Sequence, residues 1–141
     1  MAAVERKPKA SSKIARTSRR MLAAGVELGD EHDFNVVHGH DWLVAAACDH
    51  LSNRFGAPLV TTIHATEHGR HQGHVDAHPQ SYIHGVERWI ANRSDRVIAC
   101  SAYMREQIAD IFGVDEATVS VIPNGIDPED LQPLDSRELR R

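Results

Sequence analysis

The sequence has no apolar run near the roughly 20 residues that a membrane-spanning helix needs, so no membrane span is expected. Only two cysteines occur, Cys48 and Cys100, far apart and each within an apolar run. That excludes a disulfide framework and suggests two buried, reduced thiols. An excess of positive charge is also missing. The formal charge is -4 at pH 7, which removes the electrostatic case for a nucleic-acid partner. The first twenty residues lack the apolar core of a secretory signal, and with reduced thiols this points to the cytoplasm. There is no Walker loop, no glycine-rich dinucleotide fingerprint and no Ser-His-Asp order. What remains is a globular composition, 41% hydrophobic and 26% charged over 141 residues, which fits one domain.

Periodicity orders the chain. Residues 1–12 read as a basic flexible tail, with Arg6, Lys7 and Lys9 against a single acid, Glu5. A transit peptide or an anion-binding arm is the rival reading of that basic start. A helix is expected from about residue 12 to 28, weakened at its end by Gly25 and Gly29. Strands are expected at 34–38, 59–63, 96–100 and 118–122, each a short run rich in β-branched residues. Helices are expected at 42–53, 81–92 and from Ser101 on, with Gly56 and Gly113 as stops. Apolar positions Tyr82, Val86, Trp89 and Ile90 share one helical face, so Trp89, like Trp42, is expected in the core. Glu87 and Arg88 read as a solvated face. Alternating strands and helices imply an α/β fold with one parallel sheet and helices on both of its faces.

The stretch from Pro58 to Arg70 organises the rest. A strand buried on both faces runs into His64, Thr66, Glu67, His68, Gly69 and Arg70, and ligands of open parallel sheets bind beyond the carboxyl ends of the strands. His38, His40 and Asp41 form a second such strand end. They line the same crevice, or His40 and Asp41 cap the helix that begins near Trp42, and capping explains them more simply. His68, His71, His74 and His78 recur at zinc-like spacing, but Gly69 and Gly73 interrupt them and no cysteine joins. A metal-binding module therefore remains only a minor rival.

Four segments appear in order: Val36-Val37-His38-Gly39-His40-Asp41-Trp42, Thr62 to Arg70, Asp95 to Ser101, and Val121-Ile122-Pro123-Asn124-Gly125-Ile126-Asp127. With these, the chain resembles the second half of the N-terminal domain of GT-B glycosyltransferases of family 4, the glycogen-synthase-like retaining group. The resemblance implies a Rossmann-like domain over residues 13–127, with 128–141 a linker towards a C-terminal donor domain. It implies a nucleotide sugar as donor substrate, a carbohydrate acceptor, transfer of a hexose such as glucose, and no metal or other cofactor. His64 matches the catalytic, sugar-pocket histidine. Glu67, Gly69 and Arg70 match the cleft loop, Asn124 and Gly125 the interdomain turn, and His40 is a further candidate substrate contact. The family's glycine-rich loop and donor domain have no counterpart in these 141 residues. A fragment inactive alone is therefore expected, or a non-catalytic carbohydrate- or partner-binding remnant. Such a chain would expose the edge of its first strand to association.

Overall fold

β-branched runs and helix stops produce the alternation that the sequence suggests. The computed structural model describes residues 9–128. The order is α1 (Lys9–Glu31), β1 (Val37–His40), a 3₁₀ turn (Trp42–Val44), α2 (Ala45–Phe55), β2 (Leu59–Ile63), α3 (Glu67–Arg70) and α4 (Gln80–Arg93). β3 (Arg96–Ala99), α5 (Ala102–Phe112), a second 3₁₀ turn (Glu116–Thr118) and β4 (Val119–Val121) follow. Gly56 and Gly113 end α2 and α5 at φ of 63° and 68°, a conformation that glycine adopts without steric cost. Ser101 opens α5 by accepting a bond from the Met104 amide.

All four strands are parallel and lie in the order β1-β2-β3-β4. Each is added on the same side of its predecessor, so crossovers of one hand place α2, α4 and α5 on one face. The cores agree. Leu59 and Ala45, Cys48 and Ile90 form one cluster. Ile63, Val97, Ala99 and Val119 meet Ala91, Ile108 and Phe112 in the other. Among the described residues, the expected cover of helices on both faces is thus corrected to cover on one. The second face, which carries His38, His40, Val60, Thr62 and Ile98 by strand alternation, enters neither cluster.

Other details differ from expectation for identifiable reasons. β1 begins at Val37 rather than residue 34, because its pairing is with Leu59 to Thr62 and so runs through the polar His38-Gly39-His40. Helix α1 starts at Lys9, inside the stretch expected as tail. The rest of that tail, residues 1–8, and positions 129–141 of the expected linker lie outside the described residues. Gly25 and Gly29 do not fray α1. A Cβ on Gly25 would stand 2.6 Å from Leu51 Cδ1, and one on Gly29 would strike the Phe55 ring, so both permit close approach to α2. Trp89 and Tyr82 are not core residues. Their exposures are 43% and 57%, because α4 buries Glu87, Ile90 and Ala91 instead.

Candidate functional site

Two sets of ionisable side chains gather where β1, β2 and β3 end. The first is a row of imidazoles on the uncovered face. Strand alternation puts His38, His40 and His64 on that face. His38 Nε2 lies 2.8 Å from Thr62 Oγ1, and the His38 and His40 rings stack at 4.6 Å. His40 and His64 lie nearly coplanar at 11°, with His40 Nδ1 3.0 Å from His64 Nε2. On its other side His64 Nδ1 meets Cys100 Sγ at 3.5 Å, and the Cys100 thiol donates to Asn124 Oδ1 at 3.6 Å.

One proton arrangement satisfies all four groups. If the thiol donates to Asn124, its sulfur accepts from His64 Nδ1–H, and His64 Nε2 then accepts from His40 Nδ1–H. His64 is thus an exposed imidazole held at both ring nitrogens. Its backbone amide is held too, donating to Asp41 Oδ1 at 2.9 Å. Asp41 itself sits at φ 58°, ψ -177°, a region that side-chain-bearing residues occupy at a cost of roughly 1–3 kcal/mol. The turn stores that strain while aiming a carboxylate at the end of β2. Asp41 makes no cap bond to the following turn, so the capping reading of His40 and Asp41 is corrected. Burial, and then the nearby His40, lower the pKa of His38.

The second set has buried carboxylates, Glu67 and Glu87, with Arg70 and His71 at its exposed rim. Thr66 caps α3 by accepting from the Gly69 amide at 2.9 Å and donates to Gln107 at 2.8 Å. A Cβ on Gly69 would come within 3.1 Å of that hydroxyl. Behind this turn the Glu67 amide donates to both carboxylate oxygens of Glu87, at 2.8 and 3.1 Å. Arg70 Nη1 reaches Glu67 at 3.4 Å and Glu87 at 3.5 Å, and His71 reaches Glu67 at 3.2 Å. Glu87 is 2% exposed, which corrects its reading as a solvated residue. Burial pushes its pKa up to about 7, against the Glu67 amide and Arg70, which lower it. Glu67 and Asp41 nearby raise it further.

Comparison with known proteins decides what this arrangement belongs to. The model of Glycosyltransferase Family 4 matches residues 2–130. The chain belongs to glycosyltransferase family 4.

Among individual proteins, it is 44% identical over 112 residues to a glycogen synthase of Mycobacterium tuberculosis, covering 76% of this chain and 27% of the relative. An uncharacterized glycosyltransferase of Methanocaldococcus jannaschii is 35% identical over 95 residues, covering 67% of this chain and 24% of its own length. A D-inositol 3-phosphate glycosyltransferase of Nocardiopsis dassonvillei is 29% identical over 121 residues, covering 84% and 28%. The chain therefore spans about a quarter of the length of the curated relatives it matches.

Within this family-4 chain, the structure brings His40, His64 and Asn124 together through Cys100. Gly125 adjoins them, exposed like Asn124. Glu67 and Arg70 are brought together elsewhere, and the Glu67 carboxylate is turned inward. Sequence reasoning missed Glu87, Asp41 as a holder of His64, and Cys100, which is half-exposed at the site rather than buried. Cys48 is buried as expected. The only available signal for Glu87 was its place one turn before Ala91 and next to Val86 on a core-facing helix. Among the described residues, no three His, Cys, Asp or Glu side chains stand close enough to hold an ion. No described helix is long and apolar enough to cross a membrane.

Proposed function

We propose that this chain forms the acceptor side of a sugar-transfer cleft, with His64 as its catalytic imidazole. One observation carries the reading: an exposed imidazole at the carboxyl end of β2, held at Nδ1, Nε2 and its backbone amide. Sugar transfer from a nucleotide passes through an oxocarbenium-like centre while a diphosphate leaves. An imidazole fixed in advance stabilises such a centre by bonding a sugar hydroxyl without reorganising. A hydroxyl displaces His40 or Cys100 from one ring nitrogen, and the remaining bonds keep the ring aimed. Asn124 and Gly125 lie beside Cys100 and offer amide groups to the same sugar.

Glu67, Gly69 and Arg70 contribute by shaping the turn beyond β2. The Arg70 guanidinium is engaged by two carboxylates, so it serves as a substrate contact only through its free edge. The donor is a nucleotide sugar, the transferred hexose is glucose and the acceptor a glucan, as the name of the mycobacterial relative suggests. Transfer then requires a donor-binding domain, and the 141 residues alone are inactive. A cytoplasmic location and association through the edge of β1, beside the half-exposed Val36, complete the reading.

Nucleoside diphosphate release tests it, measured on the 141-residue chain and on the chain fused to the donor domain of the mycobacterial relative. Release only from the fusion, falling about a hundredfold in His64→Ala, is expected. Full activity in the His64→Ala fusion overturns the role of the imidazole.

A further inference from the structure

The two cysteines of the chain stand in different surroundings. Cys48 is buried against Gly39, where an added Cβ would lie 2.8 Å from its sulfur, and burial raises its thiol pKa. Cys100 is half-exposed just beyond the end of β3. Its sulfur meets two further donor atoms, His64 Nδ1 at 3.5 Å and Asn124 Oδ1 at 3.6 Å. His64 and Asn124 are both exposed, so an ion from solution has a path to all three.

We infer that Cys100, His64 and Asn124 form an open site for a thiophilic divalent cation, zinc or cadmium. Three observations carry this. The first is spacing. Tetrahedral bonds of roughly 2.3 Å to sulfur and 2.0–2.2 Å to nitrogen or oxygen set neighbouring ligands about 3.5–3.6 Å apart. Both measured pairs have that separation, so an ion can replace the linking protons without spreading the groups. The second is the donor set, since a thiolate with an imidazole selects zinc or cadmium over magnesium or calcium. The third lies behind the ring. When His64 binds through Nδ1 its proton moves to Nε2, and His40 Nδ1 stands 3.0 Å away to accept it. Ligating imidazoles usually have such an outer partner. The Asp41 carboxylate, on the His64 amide, fixes the ring before the ion arrives.

The binding step balances simply. Metal–sulfur and metal–nitrogen bonds form, the thiol releases one proton to solvent, and His64 and His40 change tautomer without net loss. No third His, Cys, Asp or Glu is in reach among the described residues, so water completes the coordination and the ion exchanges readily. The site is thus inhibitory rather than structural. This consequence alone rests on the acceptor-side reading: an ion on Nδ1 takes a nitrogen that a sugar hydroxyl would use, and a chelator frees it.

Cadmium chloride is titrated into the reduced 141-residue protein, followed by thiolate-to-cadmium charge-transfer absorbance, with zinc as competitor. A saturable band at one cadmium per chain is expected, reversed by zinc and by a chelator. Cys48→Ser should keep the band and Cys100→Ser should lose it. Asn124→Ala and His40→Ala should each weaken cadmium about tenfold, and His64→Ala by more, with unchanged far-ultraviolet circular dichroism.

Absence of a saturable band overturns the site. So does a band that survives Cys100→Ser, or one that Asn124→Ala, His40→Ala and His64→Ala all leave at parental affinity. Calorimetric zinc uptake unchanged in Cys100→Ser overturns it in favour of the histidine-rich loop. One cadmium per two chains overturns it in favour of a bridge between copies. The band does not depend on turnover. An intact band beside zinc-insensitive transfer in the fusion therefore rejects the catalytic role of His64 and leaves the metal site standing.

Discussion

Two clusters of ionisable residues begin three positions apart in the chain, at His64 and at Glu67, and they are built in opposite ways. The imidazole row is open and linked by single hydrogen bonds along a face that no core cluster uses. The Glu67–Glu87–Arg70 knot is closed, with carboxylates 5% and 2% exposed, and it fastens α3 to α4. Groups that must meet a substrate stay where substrate can reach them, at little gain in stability. Groups that hold the turn are buried, where a missing partner is costly. The row is therefore expected to answer in function and the knot in folding.

The largest stability effect is expected from Glu87→Ala. It strips the Glu67 amide of both its acceptors, and urea unfolding should show a loss of about 2 kcal/mol. Glu87→Gln keeps an amide oxygen for that N–H and should lose less than half as much. A Glu87→Ala protein as stable as the parent would break the comparison outright.

Thr66→Val comes next, at about 1–2 kcal/mol, since it deletes a cap and leaves Gln107 Oε1 without its donor. The pH dependence sharpens the same point. The folded pKa of Glu87, about 7, lies above the ordinary 4.5, so the folded state holds a proton that the unfolded state releases first. The stability this provides is full below about pH 4.5 and is lost as pH rises through about 7. The difference in unfolding free energy between parent and Glu87→Gln should follow that course, and a flat difference would contradict it. The smallest stability effect belongs to His64→Ala, within about 0.5 kcal/mol, despite its predicted loss of transfer.

The same contrast explains what could be read in the sequence. Local signals were legible: the β-branched run of β2, the glycines after α2 and α5, the serine before α5, and the histidine at the strand end. Four strands and their order along the chain follow from these. Non-local compensation was not legible. Glu87 looks like any exposed helical glutamate until Arg70 and the Glu67 amide arrive from another element. β1 begins three residues later than the apolar Phe34 and Val36 suggest, because its own members His38 and His40 are polar. A strand with one face left open for chemistry does not carry the double-sided apolar pattern of β2. The spacing of Trp89 suggests a core position, but α4 turns a different stripe to the sheet.

The central claim is that carbohydrate settles against the open imidazole at the end of β2. Histidine-selective nitrogen-15 spectra of the chain, recorded during a saccharide titration, test it most directly. The ring nitrogens of His64 and His40 should shift together and saturably, while His71, tied to Glu67, and His84, beside Phe112, stay in place. Stationary His64 and His40 signals under saturating saccharide would contradict the account.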